Sequence, residues 1–158
     1  MYNQIHKDKG VKIMAKILVV DDDPDFVEVT RLILEANNYE VVGAHDSADA
    51  LQKLHQEKPD LVLLDIMMTQ VLDGLVVPRE ILTDPDLERI PIIVVSSITS
   101  SPHIGKFPTD EYLAIDDWIS KPVQPKVLLE KVKLYLDRYH RLNRKKENNH
   151  QMSMSTNN

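Results

Sequence analysis

Ile17-Leu18-Val19-Val20-Asp21-Asp22-Asp23-Pro24 runs four apolar residues into three carboxylates and a proline. Four aliphatic residues are too few for a helix, and bounded by turn residues they read as a strand buried on both faces. Pro24 suits a first helical turn, and the residues after it place Phe26, Val29, Leu32, Ile33 and Ala36 on one helical face. The stretch is therefore strand, acidic turn, helix. The same unit repeats outward along the chain. Residues 41–44, 61–64, 92–95 and 118–119 are further short apolar runs. Ser47 is positioned to cap a helix carrying Ala50, Leu51 and Leu54, and Pro125 to open one carrying Leu128, Leu129, Val132, Leu136 and Tyr139. Pro78 requires a third helix to begin near Val76 or Val77. Five strands alternating with helices predict an α/β fold, a doubly wound parallel sheet flanked by helices. Pro102, Gly105 and Pro108 predict that the fourth helix, within residues 100–114, is irregular or replaced by a loop.

The chain has 158 residues, enough for one domain with a sizeable core. No apolar run approaches the roughly 20 residues that cross a bilayer, and residues 1–16 lack a secretory apolar stretch, so a cytoplasmic protein without membrane association is expected. Cysteine is absent, which excludes disulfides, thiolate metal sites and cysteine nucleophiles. Residues 1–15 read as a flexible N-terminal extension, 16–141 as the folded domain and 142–158 as a polar, disordered tail. Each end carries a net charge of +2, so the body between them holds −10 against the total of −6. Such a body repels nucleic acid phosphates and suits a cation or a basic partner.

In an open parallel sheet, ligands bind at the carboxyl ends of the strands. Here those ends deliver Asp21 and Asp22, then Asp65, then Ser96, and finally Lys121. Three converging carboxylates repel one another unless a hard divalent cation sits among them, and magnesium suits an all-oxygen donor set. A carboxylate beside such an ion can attack phosphorus, with Lys121 and Ser96 meeting phosphoryl oxygens. Taken singly, each has a plainer reading: Asp22 or Asp23 as a helix cap, Ser96 as a turn residue, Lys121 as a surface lysine. A magnesium-dependent phosphatase with a strand-end aspartate nucleophile is the alternative enzyme reading, but its usual acid/base aspartate two residues on is here Met67. No Gly-rich phosphate loop is present, and His45, His55 and His103 read as solvated or loop residues.

Ile17 to Asp23, Leu61-Val62-Leu63-Leu64-Asp65-Ile66-Met67-Met68, Pro91 to Ser97 and Asp117-Trp118-Ile119-Ser120-Lys121-Pro122 together resemble the receiver domain of two-component response regulators, the chemotaxis regulators included. The resemblance covers about residues 16–140 and implies a flavodoxin-like fold. It implies that Asp65 is the phosphoacceptor, with Asp21, Asp22, Asp65 and the Met67 backbone carbonyl around Mg2+. Ser96 matches the switch hydroxyl, Lys121 the family's lysine before a cis Pro122, and Trp118 the aromatic switch position. The implied partners are a histidine kinase or phosphotransfer protein and a downstream protein target, with homodimer formation open and direct nucleic acid binding not expected. The resemblance weakens at residues 100–114 and at Met68-Thr69, where the family commonly has Met-Pro.

Overall fold

The computed structural model describes residues 6–8, 11–67, 75–87, 89–97 and 114–155. The element order is β1 (His6–Asp8), β2 (Val11–Ile13), β3 (Lys16–Val20), α1 (Pro24–Glu35), β4 (Glu40–Ala44), α2 (Ser47–Glu57), β5 (Leu61–Leu64), α3 (Val76–Thr83), β6 (Ile92–Ser96), β7 (Asp117–Ser120) and α4 (Pro125–Ser155). The irregular fourth helix expected within residues 100–114 lies almost entirely outside the described residues.

The last five strands form one parallel sheet in the order β4-β3-β5-β6-β7. Strand residues alternate sides, and the alternation divides the core in two. Leu18, Val20, Val62, Leu64, Ile92 and Val94 pack with Ala50 and Leu54 of α2 and Val77 and Ile81 of α3. Ile17, Val19, Leu61, Leu63, Ile93 and Val95 pack with Val27 and Leu34 of α1 and Leu128, Val132 and Leu136 of α4. Apolar helices thus cover both faces of the sheet, which explains the unbroken apolar strands. Gly43 lets α1 approach β4 closely, since a Cβ there would stand 2.8 Å from Val27 Cγ1.

The helix starts are set by carboxylate caps and by proline. Asp23 caps α1, its carboxylate accepting from the Asp25 and Phe26 N–H groups, and Pro24 follows in the first turn. Asp46, not Ser47, caps α2 through the Asp49 N–H, which moves the boundary by one residue. Pro78 is tolerated because α3 begins at Val76.

The two ends depart from expectation. Within the supposed flexible extension of residues 1–15, β1 pairs antiparallel with β2. The supposed disordered tail of residues 142–158 is helical through Ser155. No Pro or Gly falls between Lys126 and Ser155. A helix already nucleated by packing at Leu128, Val132 and Leu136 continues at the small cost of propensity alone. An apolar stripe is needed to dock a helix, not to extend one.

Candidate functional site

The site is built where four strands end at one edge of the sheet. Backbone hydrogen bonds carry the ladder one residue past the strands: the Asp21 N–H donates to the Ala44 carbonyl at 3.0 Å, Asp65 N–H to Val20 at 2.9 Å and Lys121 N–H to Ser96 at 2.8 Å. The side chains of Asp21, Asp65 and Lys121 therefore leave from hydrogen-bonded sheet, not from free loops. Asp21, Asp65 and Ser96 are all buried, at 1%, 6% and 0% exposure.

Each buried carboxylate is held at both oxygens. Asp21 Oδ1 accepts from the Asp23 N–H at 2.9 Å, and Asp65 Oδ1 from the Met67 N–H at 2.8 Å. Their remaining oxygens converge on one ammonium, with Lys121 Nζ 2.6 Å from Asp21 Oδ2 and 3.3 Å from Asp65 Oδ2. Asp22 is exposed, yet a carboxylate oxygen of each of Asp21, Asp22 and Asp65 lies within 4.8 Å of the others. Three carboxylates against one lysine leave the cluster short of positive charge. The donor set fits a hard divalent cation.

Burial pushes the Asp21 carboxyl above its ordinary value, and the Lys121 and Asp23 hydrogen bonds only partly pull it back. For Lys121, burial lowers the ammonium, but the bond to Asp21 and the charge of Asp65 outweigh it and the net shift is upward. Lys121 is thus firmly cationic.

The structure brings Asp21, Asp22, Asp65 and Lys121 together as the sequence pattern expects. Ser96 ends β6 in register with Ser120, and its carbonyl anchors the Lys121 backbone. The Lys121-Pro122 peptide is cis. Trp118 stands apart from this cluster, paired in register with Val94 and packed on the α2/α3 side of the core. Two features escaped the sequence reading. The Phe26 ring centroid lies 4.1 Å from Lys121 Nζ, although nothing but helical periodicity marked Phe26. His55 is not merely solvated: it bridges α2 to α3, with Nε2 2.8 Å from Glu80 Oε1 and Nδ1 3.6 Å from Asp84 Oδ2.

The family model for the response regulator receiver domain matches residues 17–133. This chain belongs to the response regulator receiver family. Protein PilH of Pseudomonas aeruginosa is 32% identical over 123 residues, covering 78% of this chain and 98% of its own length. The alkaline phosphatase synthesis transcriptional regulatory protein PhoP of Bacillus subtilis is 35% identical over 123 residues, covering 78% of this chain and 49% of its own. This receiver chain thus spans about half the length of some curated relatives it matches. Among solved structures, a CheY-like response regulator receiver domain protein from Methanospirillum hungatei JF-1 superposes with a TM-score of 0.69 at 30% identity, covering 82% of this chain and 98% of that one. The chain is a signalling receiver with the CheY-like form of the flavodoxin fold, homologous to two-component response regulators. No described helix is long and apolar enough to cross a membrane.

Proposed function

We propose that this receiver is a phosphorylation-controlled interaction switch in which Asp65 accepts a phosphoryl group from the phosphohistidine of a histidine kinase or phosphotransfer protein. The observation that supports it most is the position of Lys121 Nζ, shared between Asp21 and Asp65 beside a third carboxylate. A carboxylate oxygen of Asp65 forms the new O–P bond as the donor's P–N bond breaks, the electron pair returning to the imidazole nitrogen, which takes up a proton. Lys121 then meets one phosphoryl oxygen and the Ser96 hydroxyl another. Asp21, Asp22, Asp65 and the Met67 carbonyl would hold Mg2+, which supplies neutralisation of the incoming phosphoryl charge.

Ser96 and Trp118 are the proposed switch pair, reporting the new charge to the surface that binds a downstream protein. Receiver chemistry of this kind catalyses only the protein's own phosphorylation and dephosphorylation. A cytoplasmic setting fits a kinase partner, a homodimer is compatible with it, and the acidic body argues against direct nucleic acid binding.

Incubation with acetyl phosphate and Mg2+, read by intact mass, is expected to add one phosphoryl group to the wild type, and none to Asp65→Asn or in excess chelator. Full labelling of Asp65→Asn would overturn the assignment.

A further inference from the structure

Lys121 has more than its two carboxylate partners. Its Nζ stands 4.1 Å from the centroid of the Phe26 ring, well inside the range of about 6 Å over which an aromatic face attracts a cation. The ring is not a loose neighbour. Phe26 is in the first turn of α1, its N–H donating to the Asp23 cap at 3.4 Å, and its side chain packs on the core between the sheet, α1 and α4. The helix that follows the metal-ligating turn therefore carries a fixed aromatic wall up to the lysine arriving from the far end of the chain.

A lysine on a four-carbon stem has many rotamers, and an ammonium that must meet a phosphoryl oxygen works best when few are open. Asp21 and Asp65 limit Lys121 on the carboxylate side. The ring limits it on another side, without adding a third hydrogen-bond acceptor that would compete for the ammonium.

We infer that Phe26 is a positioning residue for the phosphoryl site, holding the Lys121 ammonium by its aromatic face in the place where it meets the phosphoryl group. The inference rests on Asp65 as phosphoacceptor and deepens that reading, since it assigns a role to a residue known otherwise only as part of a helix face. The attraction acts through Lys121 alone, so three variants separate it from simple packing. Phe26→Leu keeps an apolar side chain but loses the face. Phe26→Tyr keeps the face. Lys121→Ala removes the group on which the face acts.

The test has two readouts. In the unphosphorylated protein, NMR is expected to show the Lys121 side-chain methylene protons shifted upfield by the ring in wild type and Phe26→Tyr, and not in Phe26→Leu. With acetyl phosphate and Mg2+, the labelling rate is expected to fall roughly 3- to 10-fold in Phe26→Leu, to stay near wild type in Phe26→Tyr, and to show no further loss when Phe26→Leu is added to Lys121→Ala. A wild-type rate in Phe26→Leu, or an equal loss on the Lys121→Ala background, would overturn the inference. A wild type that shows the ring shift but takes up no phosphoryl group would instead defeat the phosphoacceptor reading, and the positioning role with it, while leaving the contact itself intact.

Discussion

Two groups of three potential ligand side chains stand on the described part of this fold, and they differ in how far water reaches their charges. In each, one ligand atom from every member lies within 4.8 Å of the others. Asp21, Asp22 and Asp65 sit at the sheet edge, two of them buried, with one lysine among three carboxylates. His55, Glu80 and Asp84 sit on the helical surface, where a histidine bridges two carboxylates at 44% side-chain exposure. The second group closes on itself and ties α2 to α3. The first remains short of positive charge around two carboxylates, Asp21 and Asp65, that water barely reaches. Proximity of ligand atoms alone does not tell the two groups apart. Burial combined with incomplete neutralisation does.

The largest effect is expected from removing the carboxylates at the sheet edge. In a magnesium titration followed by calorimetry or by Trp118 fluorescence, the Asp21→Ala, Asp22→Ala double variant is expected to lose about 100-fold or more in affinity, with Asp22→Ala the heavier single change. His55→Ala is expected to leave that affinity unchanged. Unaltered binding in the double variant would place the ion elsewhere.

A smaller effect sharpens the same contrast through stability. Asp21→Asn removes a buried charge from a repelling set while keeping its shape and the acceptor for the Asp23 N–H. In urea unfolding at neutral pH without divalent cation, it is expected to stabilise the fold by about 1 kcal/mol. Because burial holds the Asp21 carboxyl above its ordinary value, the folded chain binds this proton more tightly than the unfolded chain. Stability from that group is then fully present below the unfolded value of about 3.9 and lost as pH rises through the folded value. The advantage of Asp21→Asn should shrink as pH falls through that window. An advantage constant down to pH about 4 would show that Asp21 is not strained by its burial.

The slightest effect belongs to the surface group. His55→Ala should cost about 0.5 kcal/mol or less, and less again at high salt, because exposed ion pairs are screened. A loss several times larger, insensitive to salt, would show that the α2–α3 bridge is more than a surface tie.

The same contrast explains which features the amino-acid order disclosed. Strand ends such as Val20-Asp21 and Leu64-Asp65 are local signals, because a buried parallel strand is an unbroken apolar run and its functional residue is the next one along. Knowing only that the strands are parallel places Asp21, Asp65, Ser96 and Lys121 on one edge. Phe26 and His55 were obscure for the opposite reason. Phe26 meets a lysine brought back by the last strand of the sheet, and His55 meets Glu80 and Asp84 across two helices. Neither contact leaves a trace in local composition. The outer part of α4 was missed by equating the lack of an apolar stripe with disorder, although Arg144 to Met154 continue as exposed helix.

The proposed switch turns on chemistry at one carboxylate, and reductive trapping reads that carboxylate directly. The chain is phosphorylated with acetyl phosphate and Mg2+, reduced with borohydride so that an aspartyl phosphate becomes homoserine, digested and mapped by mass spectrometry. The conversion is expected at Asp65 alone, with Asp21, Asp22, Glu80 and Asp84 unchanged. Conversion at any of those residues, with Asp65 intact in a fully labelled sample, would contradict it.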